Sequence, residues 1–312
     1  MRRFLVTLAI VIGTIIVLPF AVRMVTGGAD ARLRPPPGRA VPIGDGLALN
    51  VVEVGSGAPV VLVHGLPSCA ADWAEVPQQL AARGYRVIAY DRMGYGYSSR
   101  PAATPERYTV ESNARDLGAL LDALGIAQAT LVGWSYGGAV VQTLAQQAPQ
   151  RVSHLVLVAA VGPALPRDRG NGLDRILQSP LGGPLLKWVA GVPPLSRSMT
   201  HANLVEAFAR DADIPPLWTE YTRAMLALPG TLDTFVWEAQ RGRYDTLTPQ
   251  TLHVPALVVQ GSDDLLVAPA VAEDLHRKLA GSELVMVPHG SHMLPVTHAA
   301  LLAERIDAFL RR

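Results

Sequence analysis

The chain has 312 residues, a formal net charge of +1, and 49% hydrophobic against 17% charged residues. That balance supplies a sizeable core and excludes global disorder. No basic stripe marks a nucleic-acid partner. The one cysteine, Cys69, excludes an intrachain disulfide and a cysteine-built zinc site. The length suits one large α/β domain with an insertion, or two small domains.

Arg2 and Arg3 precede an uncharged apolar run from Phe4 to Val22, closed by Arg23. A helix of roughly 19 residues, rising about 1.5 Å per residue, comes close to the ~30 Å hydrocarbon core of a bilayer. The run exceeds the about 7–15 apolar residues of a signal peptide. Ala29-Asp30-Ala31, a weak cleavage candidate, lies well past it. Residues 1–28 are therefore read as an uncleaved membrane anchor of one helix, with a cleaved signal or a buried soluble helix as alternatives. Arg2, Arg3 and the α-amino group favour an inside N-terminus and a folded domain on the non-cytoplasmic side. Arg23, Arg32, Arg34 and Arg39 on the other flank weaken that bias. Residues 29–40, with Pro35-Pro36-Pro37-Gly38, read as a stiff Pro-rich linker.

The folded domain is expected over residues 41–312. Val41-Pro42-Ile43 and Leu47 to Val54 flank Asp45-Gly46, a hairpin turn signal. Apolar runs follow at Pro59 to Val63, Arg86 to Tyr90, Ala129 to Val132, His154 to Ala159, Ala256 to Gln260 and Glu283 to Val287. Helical patterns cover Ala70 to Arg83, Val110 to Leu124, Gly138 to Gln147, Pro269 to Leu279 and His298 to Arg311. Short continuous apolar strands alternating with helices predict a mostly parallel, doubly covered sheet. The stretch from about residue 163 to about 251 breaks the rhythm. It is rich in Pro, Gly and Leu, carries Trp188, Trp218 and Trp237, and is read as an inserted helical lid. Such a lid would exclude water and shape an apolar pocket, and its tryptophans either line that pocket or form the lid's own core.

Gly133-Trp134-Ser135-Tyr136-Gly137 stands between a strand and a small-residue helix. A G-x-S-x-G in that setting is a nucleophile elbow, a sharp strained turn that exposes the serine hydroxyl. The glycines answer a tight crossing that a Cβ would obstruct. A serine hydroxyl is a weak nucleophile and needs a base, which in turn needs an orienting acid. Asp263 and Asp264 follow one late strand, and His289 and His292 follow the last. One acid and one base are required, so each pair holds rivals. His154, His201, His253, His276 and His298 lack comparable placement and read as surface or helix-end residues. An oxyanion would need two backbone N–H donors. Tyr136, after the serine, supplies one. Leu66, in His64-Gly65-Leu66-Pro67, supplies the other, because Pro67 has no N–H.

From about Val41 to its end the chain resembles the lidded branch of the α/β-hydrolase superfamily. Val61-Leu62-Val63-His64-Gly65 is similar to that family's oxyanion strand and loop. Asp91-Arg92-Met93-Gly94-Tyr95-Gly96-Tyr97-Ser98 is similar to its D-x-x-G-x-G-x-S segment. Gly261 to Asp264 resembles its G-x-x-D, which points to Asp264. Ser291-His292-Met293-Leu294-Pro295 resembles its G-H segment, with Ser291 in place of glycine, which points to His292. His298 stands where the family often has histidine before proline, but Ala299 follows. Ser135 sets the chain apart from dehalogenases and epoxide hydrolases of this fold, which carry aspartate at the elbow. Met293 stands where carbon–carbon bond hydrolases often have tryptophan. The cofactor-free haloperoxidase-like branch shares the serine triad.

The resemblance implies a Ser135–His292–Asp264 triad acting through an acyl-enzyme, with no metal and no organic cofactor. The expected substrate is a small hydrophobic carboxylic ester. The same triad could act on an amide, thioester or carbon–carbon bond, or in perhydrolysis. A non-catalytic, membrane-anchored binding protein is the reading from another class, and an intact triad in chain order opposes it. Cys69, near the oxyanion loop, is either a buried small hydrophobe or a reactive thiol.

Overall fold

A computed structural model of the protein describes residues 30–104, 106–165, 177 and 179–312. The strands are β1 (Arg39–Gly44), β2 (Leu47–Val54), β3 (Ala58–Val63), β4 (Tyr85–Tyr90), β5 (Ala129–Trp134), β6 (Val152–Val158), β7 (Ala256–Gly261) and β8 (Glu283–Val287). They form one sheet in the order β1-β2-β4-β3-β5-β6-β7-β8. β1 and β2 pair antiparallel, as do β2 and β4, and the remaining pairs are parallel.

Alternation along the strands divides the core into two layers. Val61, Val63, Leu131, Leu155 and Val258 face one side. There they pack on Leu117, Leu120 and Leu121 of α2 (Val110–Ala123), Val140 and Leu144 of α3 (Tyr136–Gln147), and Leu275 of α8 (Pro269–Lys278). Val60, Leu62, Val132, Val156 and Val259 face the other. They meet Val76 and Leu80 of α1 (Val76–Ala81) and Leu302, Ile306 and Phe309 of α10 (Ala299–Leu310). Both faces are buried, which is why these strands read as continuous apolar runs rather than alternating ones. Each fully buried Val or Leu contributes about 1.5–3 kcal/mol of transfer free energy.

Between β6 and β7 lie α4 (Gly182–Ala190), α5 (Pro193–Phe208), α6 (Trp218–Leu226) and α7 (Thr231–Arg241); the short α9 (Leu294–Thr297) follows β8. The linker meets both this insertion and the loop after β4. Arg34 donates from Nε to the Ala224 carbonyl at 2.9 Å, and Tyr97 donates from its hydroxyl to the Pro35 carbonyl at 2.7 Å. Among the described residues no helix is long and apolar enough to cross a membrane. The expected anchor, residues 1–28, lies outside the described residues.

Two local expectations need correction. The helix expected over Ala70 to Arg83 is broken: Ala70–Trp73 is a 3₁₀ turn and α1 starts only at Val76. Ala74 between them has φ +49°, which no helix accommodates, and Pro77 sits in the first turn of α1, where its missing N–H costs nothing. His154 is neither a surface nor a helix-end residue. It lies on β6, half-buried, with its ring edge-on to Phe309 at 5.6 Å.

The crossing of β5 and α3 is tight. A Cβ on Gly133 would lie 2.5 Å from the Gly137 carbonyl oxygen, and one on Gly137 would overlap the Val63 carbonyl oxygen. Both neighbours are backbone and cannot rotate away. Gly137→Ala is therefore expected to cost at least the about 1–3 kcal/mol of an overpacked core, read as a lowered urea midpoint. A midpoint equal to wild type would show that the crossing has slack.

Candidate active site

Register carries four loop starts to one edge of the sheet. Val63 pairs with Gly133, and Gly133 with Leu157. Val158 pairs with Val259, and Gly261 with Val287. The residues that follow β3, β5, β7 and β8 thus emerge together at the carboxyl edge, where α/β sheets bind ligands.

Ser135 has φ +55° and ψ −121°, an uncommon conformation for a residue with a Cβ. Bonds on both sides hold it there. Its N–H donates to Val158 O at 3.0 Å, and its carbonyl accepts from Gly138 at 2.9 Å and Val161 at 3.1 Å. α3 begins at the next residue, Tyr136. The helix N-terminus therefore points its free N–H groups and positive dipole end towards the serine.

Asp264 and His292 come together. His292 Nδ1 lies 2.8 Å from Asp264 Oδ2. The same carboxylate accepts from Leu266 N and Val267 N at 2.9 Å each, and from Gln260 Nε2 at 2.9 Å. Burial opposes its charge, but His292 and these donors outweigh burial and hold the carboxyl below the usual carboxylate range. A carboxylate so held only accepts, so Nδ1 carries the proton and Nε2 of a neutral imidazole is left as an acceptor. The His292 backbone is fastened twice. Its N–H donates to Ala207 O at the end of α5 (3.1 Å), and its carbonyl accepts from Trp134 Nε1 (2.9 Å). The Trp134 ring packs on the imidazole at 5.9 Å.

The rivals lie apart. Asp263 takes the Ser262 hydroxyl at 2.7 Å and sits 3.6 Å from both His289 and Arg210. The His289 side chain is 80% exposed.

Ser135, His292, Leu66 and Tyr136 line one cavity of about 380 Å³. A Cβ built on Gly65 would lie 3.0 Å from Ser135 Cβ and 3.5 Å from its Oγ, so the β3 loop lies against the serine. The lining combines apolar Val161, Leu165, Leu204, Trp218, Phe235 and Met293 with polar Ser68, Asp72, Thr200, Asn203, Thr222 and Gln240. The lining is thus more mixed than the apolar pocket expected from composition. Trp218 serves both roles considered for the insertion's tryptophans, because it lines the cavity and packs on Phe208. Trp237 instead packs on Tyr108. Cys69 is buried, with Sγ 3.2 Å from the Tyr221 hydroxyl. Burial, then Asp72 and Asp91, push its thiol well up, which removes the thiolate a reactive cysteine needs. Among the described residues no group of three or more His, Cys, Asp or Glu could hold a metal ion.

Trp134, Asp72 and Glu238 meet the site through contacts that no sequence motif assigns to them. Glu238 left a trace: Thr231, Thr234 and Glu238 follow helical spacing on the buried side of α7. A charge there asks for a partner, but the pattern does not name it. The depressed Asp264 pKa has a thermodynamic consequence. Relative to the unfolded chain, it stabilises the fold above the ordinary carboxylate range, and that contribution is lost as pH falls through the lower folded value. Asp264→Asn should therefore destabilise at pH 7, and the deficit should shrink below about pH 4, the ordinary aspartate pKa. Urea unfolding across this range measures it; a pH-independent deficit would contradict the ionised carboxylate.

The sequence model described as the alpha/beta hydrolase fold matches residues 58–299. A non-heme chloroperoxidase of Streptomyces lividans is 30% identical over 274 residues, covering 82% of this chain and 92% of that protein. A 2-hydroxy-6-oxo-2,4-heptadienoate hydrolase of Pseudomonas putida is 30% identical over 276 residues, covering 88% and 96%. Among solved structures, a bromoperoxidase from Bacillus anthracis superposes with TM-score 0.72 at 26% identity, over 89% of this chain and all of that one. With its sheet order, its carboxyl-edge site and these matches, the chain belongs to the α/β-hydrolase family of enzymes.

Proposed function

We propose that the protein is a serine hydrolase that cleaves carboxylic esters of apolar acyl groups. One observation carries this reading: Ser135 and His292 share a cavity, and the far nitrogen of that imidazole is bonded to the ionised Asp264. Ser135 Oγ attacks the carbonyl carbon while His292 Nε2 takes the hydroxyl proton. The carbonyl π electrons move to oxygen, where the Leu66 and Tyr136 N–H groups receive the negative charge. Collapse of this intermediate expels the alcohol, which takes the proton from Nε2. A water then attacks the acyl-enzyme by the same route and releases the acid and Ser135. Asp264 remains ionised throughout, holding the ring and stabilising its charged form. None of these steps calls on a metal or cofactor. Val161, Leu165, Phe235 and Met293 in the lining support an apolar acyl group, with the inserted helices acting as a lid.

We also propose that residues 1–28 anchor this domain to a membrane, with residues 29–40 as linker and the catalytic domain on the non-cytoplasmic side. The uncharged run from Phe4 to Val22 supports it. Full-length chain should resist alkaline carbonate extraction from membranes, and chain starting at Asp30 should be released. Release of both would sink the anchor.

Ser135→Ala should lower kcat on p-nitrophenyl esters by about 10⁴-fold or more, with an unchanged unfolding midpoint, and abolish fluorophosphonate labelling. Asp264→Asn should lower kcat by about 10⁴-fold, because the amide favours the wrong imidazole tautomer. Turnover surviving in Ser135→Ala would refute the assigned nucleophile.

A further inference from the structure

Arg92 and Glu238 form an ion pair at 2.6 Å, and both side chains are fully buried. Arg92 follows β4, and Glu238 sits on α7 of the insertion. A buried ion pair is tolerated only when its remaining hydrogen-bonding positions are filled. Here Arg92 Nη1 also donates to Asn113 Oδ1 (3.2 Å), while Glu238 accepts from Asn113 Nδ2 (2.7 Å) and the Tyr95 hydroxyl (2.9 Å). The guanidinium lies between the rings of Tyr95 and Tyr136, 4.8 and 4.5 Å from their centroids.

The other guanidinium donors reach the loop after β3. Arg92 Nε donates to His64 O at 3.2 Å and Nη2 to Gly65 O at 2.9 Å. The Arg92 backbone N–H donates to His64 Nε2 at 2.8 Å, so that nitrogen is bare and Nδ1 carries the proton. His64 Nδ1–H then donates to the same Gly65 carbonyl at 2.9 Å. Burial, with the Arg92 charge adding to it, keeps this histidine neutral.

Two donors thus hold the Gly65 carbonyl on the side of the Arg92 layer. The Gly65–Leu66 peptide is trans, so its N–H points opposite to its carbonyl. Leu66 lines the cavity, and Gly65 lies against Ser135. Turning the carbonyl towards Arg92 therefore turns the Leu66 N–H away from that layer. The same guanidinium packs on the ring of Tyr136, whose N–H is the second proposed oxyanion donor.

We propose that Arg92 and Glu238 are positioning residues that orient the Gly65–Leu66 peptide for oxyanion binding, so that the inserted helix α7 sets the oxyanion hole. The inference rests on the serine-hydrolase reading above. Without Glu238 the guanidinium is an uncompensated buried charge and leaves its place, releasing the Gly65 carbonyl. Without Arg92 the carbonyl keeps only His64.

A charge-removing pair separates positioning from bulk stability. Arg92→Met and Glu238→Met should each lower Tm, because each strands a charge. The double variant Arg92→Met/Glu238→Met has no stranded charge and should regain most of the Tm. Its kcat on p-nitrophenyl butyrate should nonetheless stay about 10- to 100-fold below wild type, with KM within about twofold, because a misaimed oxyanion donor should cost no more than the about 10²–10³ of losing one outright. The Ki of a trifluoromethyl ketone, whose adduct carries an oxyanion, should rise by the same factor. Arg92→Lys keeps the charge but cannot span both carbonyls, and should lose kcat while holding Tm. A double variant or Arg92→Lys with wild-type kcat and Ki would overturn the proposal. Should the single methionine variants fail to fold, these two carry the test. Ser135→Ala runs alongside: if it retains turnover, the serine reading fails and this inference with it. If it is dead while the double variant is fully active, this inference alone fails.

Discussion

The close approach of the β5–α3 turn to the end of β3 is the constraint on which the rest depends. Gly137 lies against the Val63 and His64 carbonyls with no room for a Cβ, and Gly133 lies against Gly137. That contact brings the positive-φ Ser135, the N-terminus of α3 and the β3 loop to one point. Elements distant in sequence must meet there at backbone distance, and glycine is the residue that allows it. The strain at Ser135 is held by bonds to Val158, Gly138 and Val161, so the neighbouring strand end and the helix share in it.

The inserted helices are fastened to the loops around the serine rather than merely laid over them. α5 accepts the His292 N–H through Ala207. α6 donates its Tyr221 hydroxyl to Asp72, beside the β3 loop. α7 sends Glu238 to Arg92. Each contact is polar and at least partly buried, so breaking it leaves a donor or acceptor without a partner where water is scarce. An insertion joined in this way resists sliding, and changes in its sequence reach loops whose own residues are untouched.

Adjacent residues in the two late loops receive opposite environments. Asp264 is inside, with four N–H donors, while Asp263 is outside with Ser262, His289 and Arg210. The difference arises from the turn after β7, which points consecutive side chains to opposite sides. Gly261 has no room for a Cβ against the Gly290 carbonyl, so the β7 and β8 loops are pressed together and the acid meets the histidine across them. Composition suggested an apolar cavity because the insertion is leucine-rich. Helices expose different faces, and the cavity receives Thr200, Asn203 and Thr222 as well as Leu204 and Phe235.

Much of the architecture was legible in the chain itself. Doubly buried strands must be apolar throughout, helices must repeat near every 3.6 residues, and a tight crossing must carry glycine; these demands are local and leave marks in sequence. The alternation of strands and helices along the chain and the sharp turn at Ser135 followed from such marks, and family resemblance pointed to Asp264 and His292; the order of the strands in the sheet came only with the fold. The break after Trp73 left a weaker mark, because Pro77 at the start of a helix is indistinguishable from proline inside one until the turn is seen. Which residues pair with Arg92, Trp134 and Asp72 left no mark at all. Arg92 and Glu238 are separated by 146 positions, and no local rule states which buried charge will meet which. Only the packed fold decides that, because the pairing is set by where helix and loop come to rest and by the cost of leaving either charge alone in the core.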